Sequence, residues 1–273
     1  MHTQINELFS HLWQDYLAIT PSAQKIHALL NQLEFSDVET QGQLINDHIA
    51  LRTFNIEKIN LDKLAEHFIA LGYVEKGQYD FAQKKLKAKH FEHPDTNQPK
   101  VFISELLVEE MPQAIQDIIY KMLENVDEQL ALQDNFLYSG AHWQVSSADY
   151  ETLAAHSEYA AWMSVWGFRA NHFTISINHM RKIKSVEQMN SHLKQAGFIL
   201  NSAGGEIKGG EEVLLAQSST MADKITVTFA DAQQAVPSCF YEFAQRYPMD
   251  NGELYQGFVA ASADKIFEST NQN

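Results

Sequence analysis

The chain predicts an α+β fold in which two βαβββ modules follow one another, led by helices and separated by a helical insert. Three observations carry that prediction. The run Asp47-His48-Ile49-Ala50-Leu51-Arg52 returns loosely as Asn171-His172-Phe173-Thr174-Ile175-Ser176, each with the alternating character of a strand. Each run precedes a helix with nearly the same ending, Glu66-His67-Phe68-Ile69-Ala70-Leu71-Gly72-Tyr73 and Ser191-His192-Leu193-Lys194-Gln195-Ala196-Gly197-Phe198. His48 and His172 lie 124 positions apart and His67 and His192 lie 125 apart, so the stretches align with one inserted residue. A content of 45% hydrophobic residues with 16 Phe supplies a core, which excludes a disordered chain.

Taken in order, apolar residues at helical spacing predict helices over 5–19 and 22–34, separated by Pro21. The first module opens with a strand at about 46–54. Asn60-Leu61-Asp62 starts a helix, and Gly72 ends it. Strands follow near 73–81, 85–92 and 100–108, with a turn at Pro94-Asp95-Thr96-Asn97. The insert has a helix beginning at Pro112 and a second helical stretch over 147–166. The second module runs as a strand 169–179, a helix 185–197 and strands near 198–208, 211–217, 223–230 and 237–244. These limits describe one domain over 1–273: helices 1–40, first module 41–110, insert 111–168, second module 169–250 and tail 251–273.

The formal charge of −15 argues against nucleic-acid binding, which needs a concentrated basic surface. It also requires any anionic substrate to meet a local island of positive charge. A single cysteine, Cys239, excludes an internal disulfide framework and a cysteine-based zinc knuckle. No apolar run approaches the ~18 residues of a membrane span, and no signal-like start is seen. The expectation is a soluble cytoplasmic protein without a membrane partner.

A repeated strand that carries a histidine each time predicts two imidazoles meeting at a pseudo-twofold axis. Glu105 interrupts the apolar strand Val101–Leu107, and Glu242 interrupts Cys239–Ala244. A carboxylate inside a buried strand is costly unless paired or bound to a cation. The quartet His48, Glu105, His172 and Glu242 therefore forms the candidate metal-binding set. If two histidines and one carboxylate hold the ion, one glutamate is spared, and Glu105 becomes a fourth ligand or an acceptor behind the ligands. Arg52 shares the face of His48, about 13 Å along the strand. It suits bidentate capture of a carboxylate, or an ion pair with an acid such as Glu105. Gln217-Ser218-Ser219-Thr220 offers hydrogen-bonding groups to a substrate, or plain turn chemistry. His179 is expected on the outer face of its strand and His90 and His93 at a solvent-facing turn. His142 and His156 have no partner visible in the sequence.

Asp47–Phe54, Arg169–Thr174, Gln217–Ala222 and Tyr241-Glu242-Phe243 together resemble the 2-oxoadipate dioxygenase/decarboxylase family of the vicinal-oxygen-chelate superfamily, from about residue 40 onward. The resemblance implies Fe(II) held by His48, His172 and Glu242, and a catalytic, substrate-contacting Arg52. It also implies contact with substrate from the C-terminal pair Ala261-Ser262 ahead of Ile266-Phe267, where members carry Val-Ser. The implied reaction consumes dioxygen and turns 2-oxoadipate into 2-hydroxyglutarate and CO2, with no general base from the protein. Three other classes share such a scaffold: a glyoxalase-like isomerase or hydrolase using both glutamates with Zn or Ni, an extradiol ring cleaver, and a non-catalytic binding protein. The oligomeric state is not legible.

Overall fold

The computed structural model describes residues 2–36 and 43–271. The expected junction between the N-terminal helices and the first module, at residues 40–41, lies outside the described residues. Two helices come first, α1 (His2–Ala18) and α2 (Pro21–Phe35), with Pro21 at the first helical position. The first module comprises β1 (Asn46–Phe54), α3 (Leu61–Ile69), β2 (Val74–Phe81), β3 (Leu86–Glu92) and β4 (Lys100–Leu106). The insert carries α4 (Gln113–Leu123), α5 (Ser147–Ala154) and α6 (Glu158–Trp166). Then come β5 (Ala170–Ser176), α7 (Val186–Gln195), β6 (Lys208–Gly210), β7 (Leu215–Ser219), β8 (Lys224–Thr228), β9 (Gln233–Pro237), β10 (Phe240–Arg246) and α8 (Ala260–Ile266).

Eight strands form one mixed, curled sheet in the order β2-β3-β4-β1-β5-β10-β7-β6. The order is symmetric about its centre. β1 pairs with β4 in parallel, β5 pairs with β10 in parallel, and β1 meets β5 antiparallel across the join. Two βαβββ units related by a pseudo-twofold axis between β1 and β5 give this pattern. The symmetry extends to details that the sequence does not repeat. In each module a 3-10 turn and one non-glycine residue in the left-handed region, Lys85 (φ 56°) or Leu214 (φ 62°), join the second strand to the third. Gly72 (φ 97°) and Gly197 (φ 87°) end the equivalent helices, where a side chain would strain the turn.

Alternation along the strands sorts the two faces. Phe173 and Tyr241 face outward onto α1, where Trp13 and Tyr16 meet them at ring-centroid distances of 4.9–6.2 Å. His48, His172 and Glu242 therefore face inward. α6 closes the inner side at the end of β1 and β4. Its Tyr159 hydroxyl accepts from the Thr53 N–H at 3.0 Å and donates to the Ser104 carbonyl at 2.8 Å.

Four expectations change. The strand expected over 169–179 ends at Ser176 and becomes a 3-10 turn, Ile177–His179, because the Asn178 side chain hydrogen-bonds both the N–H and the carbonyl of Arg246. The segment 198–207 is a loop that meets the sheet through an isolated bridge of Leu200 with Thr220 and through the Asn201 N–H on the Ser219 carbonyl, before β6 begins at Lys208. The strand expected over 223–230 pairs with β9 in a separate hairpin rather than with the main sheet. The stretch 147–166 is two helices, broken where Ser157 caps α6 by accepting from Ala160 N–H. Among the described residues, no helix is long and apolar enough to cross a membrane.

Candidate metal centre

His48 and His172 sit at matched positions of the central antiparallel pair, His48 opposite Thr174 and His172 opposite Ala50. Each follows a β-bulge. One extra residue on β1, Asp47, and one on β5, Asn171, break the register symmetrically. The bulge lets each Asx side chain turn toward the imidazole next to it. Asp47 Oδ1 lies 2.8 Å from His48 Nδ1, and Asn171 Oδ1 lies 3.1 Å from His172 Nδ1. An Nδ1–H donated to each Asx oxygen turns both Nε2 atoms inward, where the Thr174 hydroxyl lies 3.0 Å from that of His48.

Glu242 on β10 completes the group. Its Oε1 lies 3.5 Å from His48 Nε2 and its Oε2 lies 3.0 Å from His172 Nε2, and one donor atom from each residue falls within 4.8 Å of the others. All three side chains are buried. Gln217 donates to Glu242 Oε1 at 2.6 Å, whereas Oε2 is buried without a hydrogen-bond donor. Burial works to raise the Glu242 carboxyl, yet the two imidazoles hold it down at about 2. Burial pushes the His172 imidazole below its ordinary value, against the pull of Glu242. His48 is opposed by burial but raised overall by Glu242 and Asp47. Two imidazole nitrogens and a carboxylate, gathered out of water with Glu242 Oε2 lacking a donor among the described residues, are a set that fits a divalent cation.

Glu105 is not part of this set. It pairs with Thr53, whose neighbour Arg52 faces inward, and so points to the opposite face. There its Oε2 accepts the Leu61 N–H at 2.9 Å at the start of α3. The position equivalent to Glu242 holds Phe102: His172 pairs with Phe240, two before Glu242, and His48 pairs with Lys100, two before Phe102. The duplication therefore brings together two histidines and one carboxylate, and the register turns Glu105 away from them.

Arg52 is buried and lines the same cavity of about 30 Å³ as His48, His172 and Glu242. Its partner acid is Glu158 of α6 at 3.1 Å rather than Glu105, and Thr270 accepts a second bond at 3.2 Å. Tyr159, Trp162 and Phe267 stack around the guanidinium at 4.7–5.6 Å. Among the described residues its Nε has no acceptor and Gln217 Oε1 has no donor. Ala261 is exposed and Ser262 is buried on α8, but neither lines the cavity; Phe258, Ala263, Ile266 and Phe267 do. Gln217 lies within β7, not in a turn. His90 is buried, bonded to Tyr79 at 2.9 Å and Glu92 at 3.0 Å, contrary to the solvent-facing expectation. His142, His156 and His179 are exposed.

Sequence reasoning assigned no role to Asp47, Asn171, Arg246 or Phe258. The repeated Asx-His dipeptide is a signal that could have identified the first two. Arg246 grips Asp47 through Nε at 2.7 Å and Nη2 at 2.8 Å, and holds its carboxyl well below the usual range against burial.

Comparison with known proteins agrees with this geometry. The family described as 2-oxoadipate dioxygenase/decarboxylase matches residues 8–253. The chloroplastic 2-oxoadipate dioxygenase/decarboxylase of Arabidopsis thaliana is 34% identical, over 94% of this chain and 75% of its own. A crystal structure of hydroxyglutarate synthase from Oryza sativa in complex with 2-oxoadipate is 34% identical, covers 97% of this chain and 91% of its own, and superposes with a TM-score of 0.87. A crystal structure from Shewanella frigidimarina NCIMB 400, whose protein carries a provisional hydrolase name, is 59% identical with a TM-score of 0.89, over 96% and 100% of the two chains. The chain belongs to the 2-oxoadipate dioxygenase/decarboxylase family.

Proposed function

We propose that this protein is a non-haem Fe(II)-dependent dioxygenase and decarboxylase that converts 2-oxoadipate and O2 into 2-hydroxyglutarate and CO2. The observation that carries the reading is the buried His48, His172 and Glu242 group, with no fourth ligand across the pseudo-twofold axis. Fe(II) held there on one face would leave positions for the keto oxygen and C1 carboxylate of a 2-oxo acid and for dioxygen. Asp47 and Asn171 keep both imidazoles in the tautomer that ligation needs. Arg52, with its Nε orphaned, would take the distal carboxylate and so orient the chain. Its aromatic surround keeps water from that pair. Gln217 lines the same cavity and steadies Glu242 by donating to its Oε1. The buried thiol of Cys239, pushed up to about 12 by burial, is inert, and we place the enzyme in the reducing cytoplasm.

Protein purified without chelator, loaded anaerobically with Fe(II) and mixed with O2 and 2-oxoadipate, is expected to release CO2 and 2-hydroxyglutarate in equal amounts. The O2 consumed should match them. Glu242→Gln should abolish the reaction. Turnover that needs no O2 would replace this reading with an isomerase or hydrolase, and no turnover with metal bound would replace it with a binding protein.

A further inference from the structure

We propose that Arg246 is a positioning residue that couples seating of the C-terminal tail to the orientation of His48, making metal binding and tail closure one linked equilibrium. The proposal rests on reading the site as a metal centre and goes beyond it.

Arg246 lies four residues after Glu242 on β10 and is buried. It distributes its N–H groups between two structures. Nε and Nη2 grip the Asp47 carboxylate, which takes the Nδ1 side of His48. Nη1 donates to the carbonyls of Tyr255 at 3.0 Å and Gly257 at 2.8 Å, where the tail begins. The next residue, Phe258, lies under the guanidinium at 5.3 Å and sets its ring edge-on to His48 at 4.8 Å. The same tail brings Ala263, Ile266 and Phe267 into the cavity wall.

With the tail seated, Phe258, Ala263, Ile266 and Phe267 wall a cavity of about 30 Å³, so a six-carbon diacid entering it would press on these tail side chains. Losing the two carbonyls would leave the Nη1 hydrogens of Arg246 unpaired in a buried place, so the guanidinium would follow the tail or turn to water. Asp47, and through it His48, would lose its anchor. His172 has no such link among the described residues, because Asn171 Oδ1 backs it while Asn171 Nδ2 is buried without a partner. The asymmetry routes the coupling through His48. By linkage, whatever metal does to the tail, the tail does to metal affinity by the same factor.

Co(II) serves as the probe, with affinity read by chelator competition and visible absorption and tail closure read by amide exchange over residues 255–270. In the wild-type protein, Co(II) is expected to slow exchange in the tail about tenfold. Arg246→Lys keeps a charge beside Asp47, but one ammonium cannot span the carboxylate and both carbonyls. It should lower Co(II) affinity about 10- to 100-fold and reduce the metal-dependent protection to less than twofold. Asp47→Asn, which leaves the carbonyl bonds of Arg246 in place, should do the same and carries the test if Arg246→Lys does not fold. Asn171→Ala should lower affinity through His172 while keeping the tail protection. Equal metal-dependent protection in Arg246→Lys or Asp47→Asn and in wild type would overturn the coupling alone, as would its loss in Asn171→Ala. Failure of the wild-type protein to take up Co(II) would overturn the metal centre and the coupling together.

Discussion

Lys208 is buried beside Gln217 with its ammonium on the carbonyls of Asn201 and Gly205 and no carboxylate in contact. Burial lowers it from 10.5 to about 8, against the opposing pull of Glu242 and Glu206. A neutral amine still has two hydrogens for the two carbonyls, so the folded protein can release the proton without losing either bond. Between pH 8 and 10.5 the unfolded chain holds a proton that the folded one has shed, so stability rises with pH through that window. Below pH 8 the charging penalty is present in full. Lys208→Met should remove the pH-dependent gain, which is at most about 3 kcal/mol. Urea midpoints of both proteins at pH 7 and pH 10 check it, and parallel changes in the two would refute it. At this scale the sequence was informative where chemistry repeats. His48, His172 and Glu242 were legible because two imidazoles recur in register and a carboxylate breaks an apolar strand. Arg246 and Glu158 were not, because each finds its partner about 200 or 106 positions away and no local pattern marks it.

Among the elements, α3 shows how the same signal misleads. Glu105 interrupts its strand as Glu242 does, yet its oxygen serves the backbone of a helix. Asn60 caps α3 by accepting from Lys63 N–H, and Glu105 takes the Leu61 N–H at the positive end of the helix. Burial raises the Glu105 carboxyl, offset in part by that bond and by Lys89 and Lys87. Glu105→Ala is expected to destabilise the fold by about 1 kcal/mol and to leave metal content and turnover unchanged. Glu105→Gln, which keeps the acceptor, should recover most of the loss. Calorimetry with metal analysis tests both, and a fall in bound metal would return Glu105 to the ligand set. Helices and the first four strands were legible from periodicity and from Asn60 and Gly72. The second module was harder to read. Its β6 is only Lys208–Gly210, and β8 and β9 alternate as strands do while packing against the insert, where Asp231 accepts from the Ser147 N–H and hydroxyl. Periodicity reports a strand, not the sheet to which it belongs.

For the molecule as a whole, the pseudo-twofold axis makes the proposed metal centre a matter of which half carries the carboxylate. The first module has Phe102 where the second has Glu242, and Phe102 packs on Phe258 at 5.1 Å and Tyr79 at 5.5 Å within the cavity wall. Phe102→Glu would restore the missing symmetry and offer a fourth protein ligand. In the metal-free protein the new carboxylate would be buried with no partner, which costs about 3–5 kcal/mol. Metal would then recover most of that loss, so the rise in melting temperature on adding Co(II) should be larger in the variant than in the wild type. A fourth ligand also occupies a position that the 2-oxo acid and dioxygen need, so O2-dependent product formation should fall steeply while metal content stays stoichiometric. An equal metal-induced shift in both proteins would mean that residue 102 cannot reach the ion, and the register argument for a three-ligand site would lose its support.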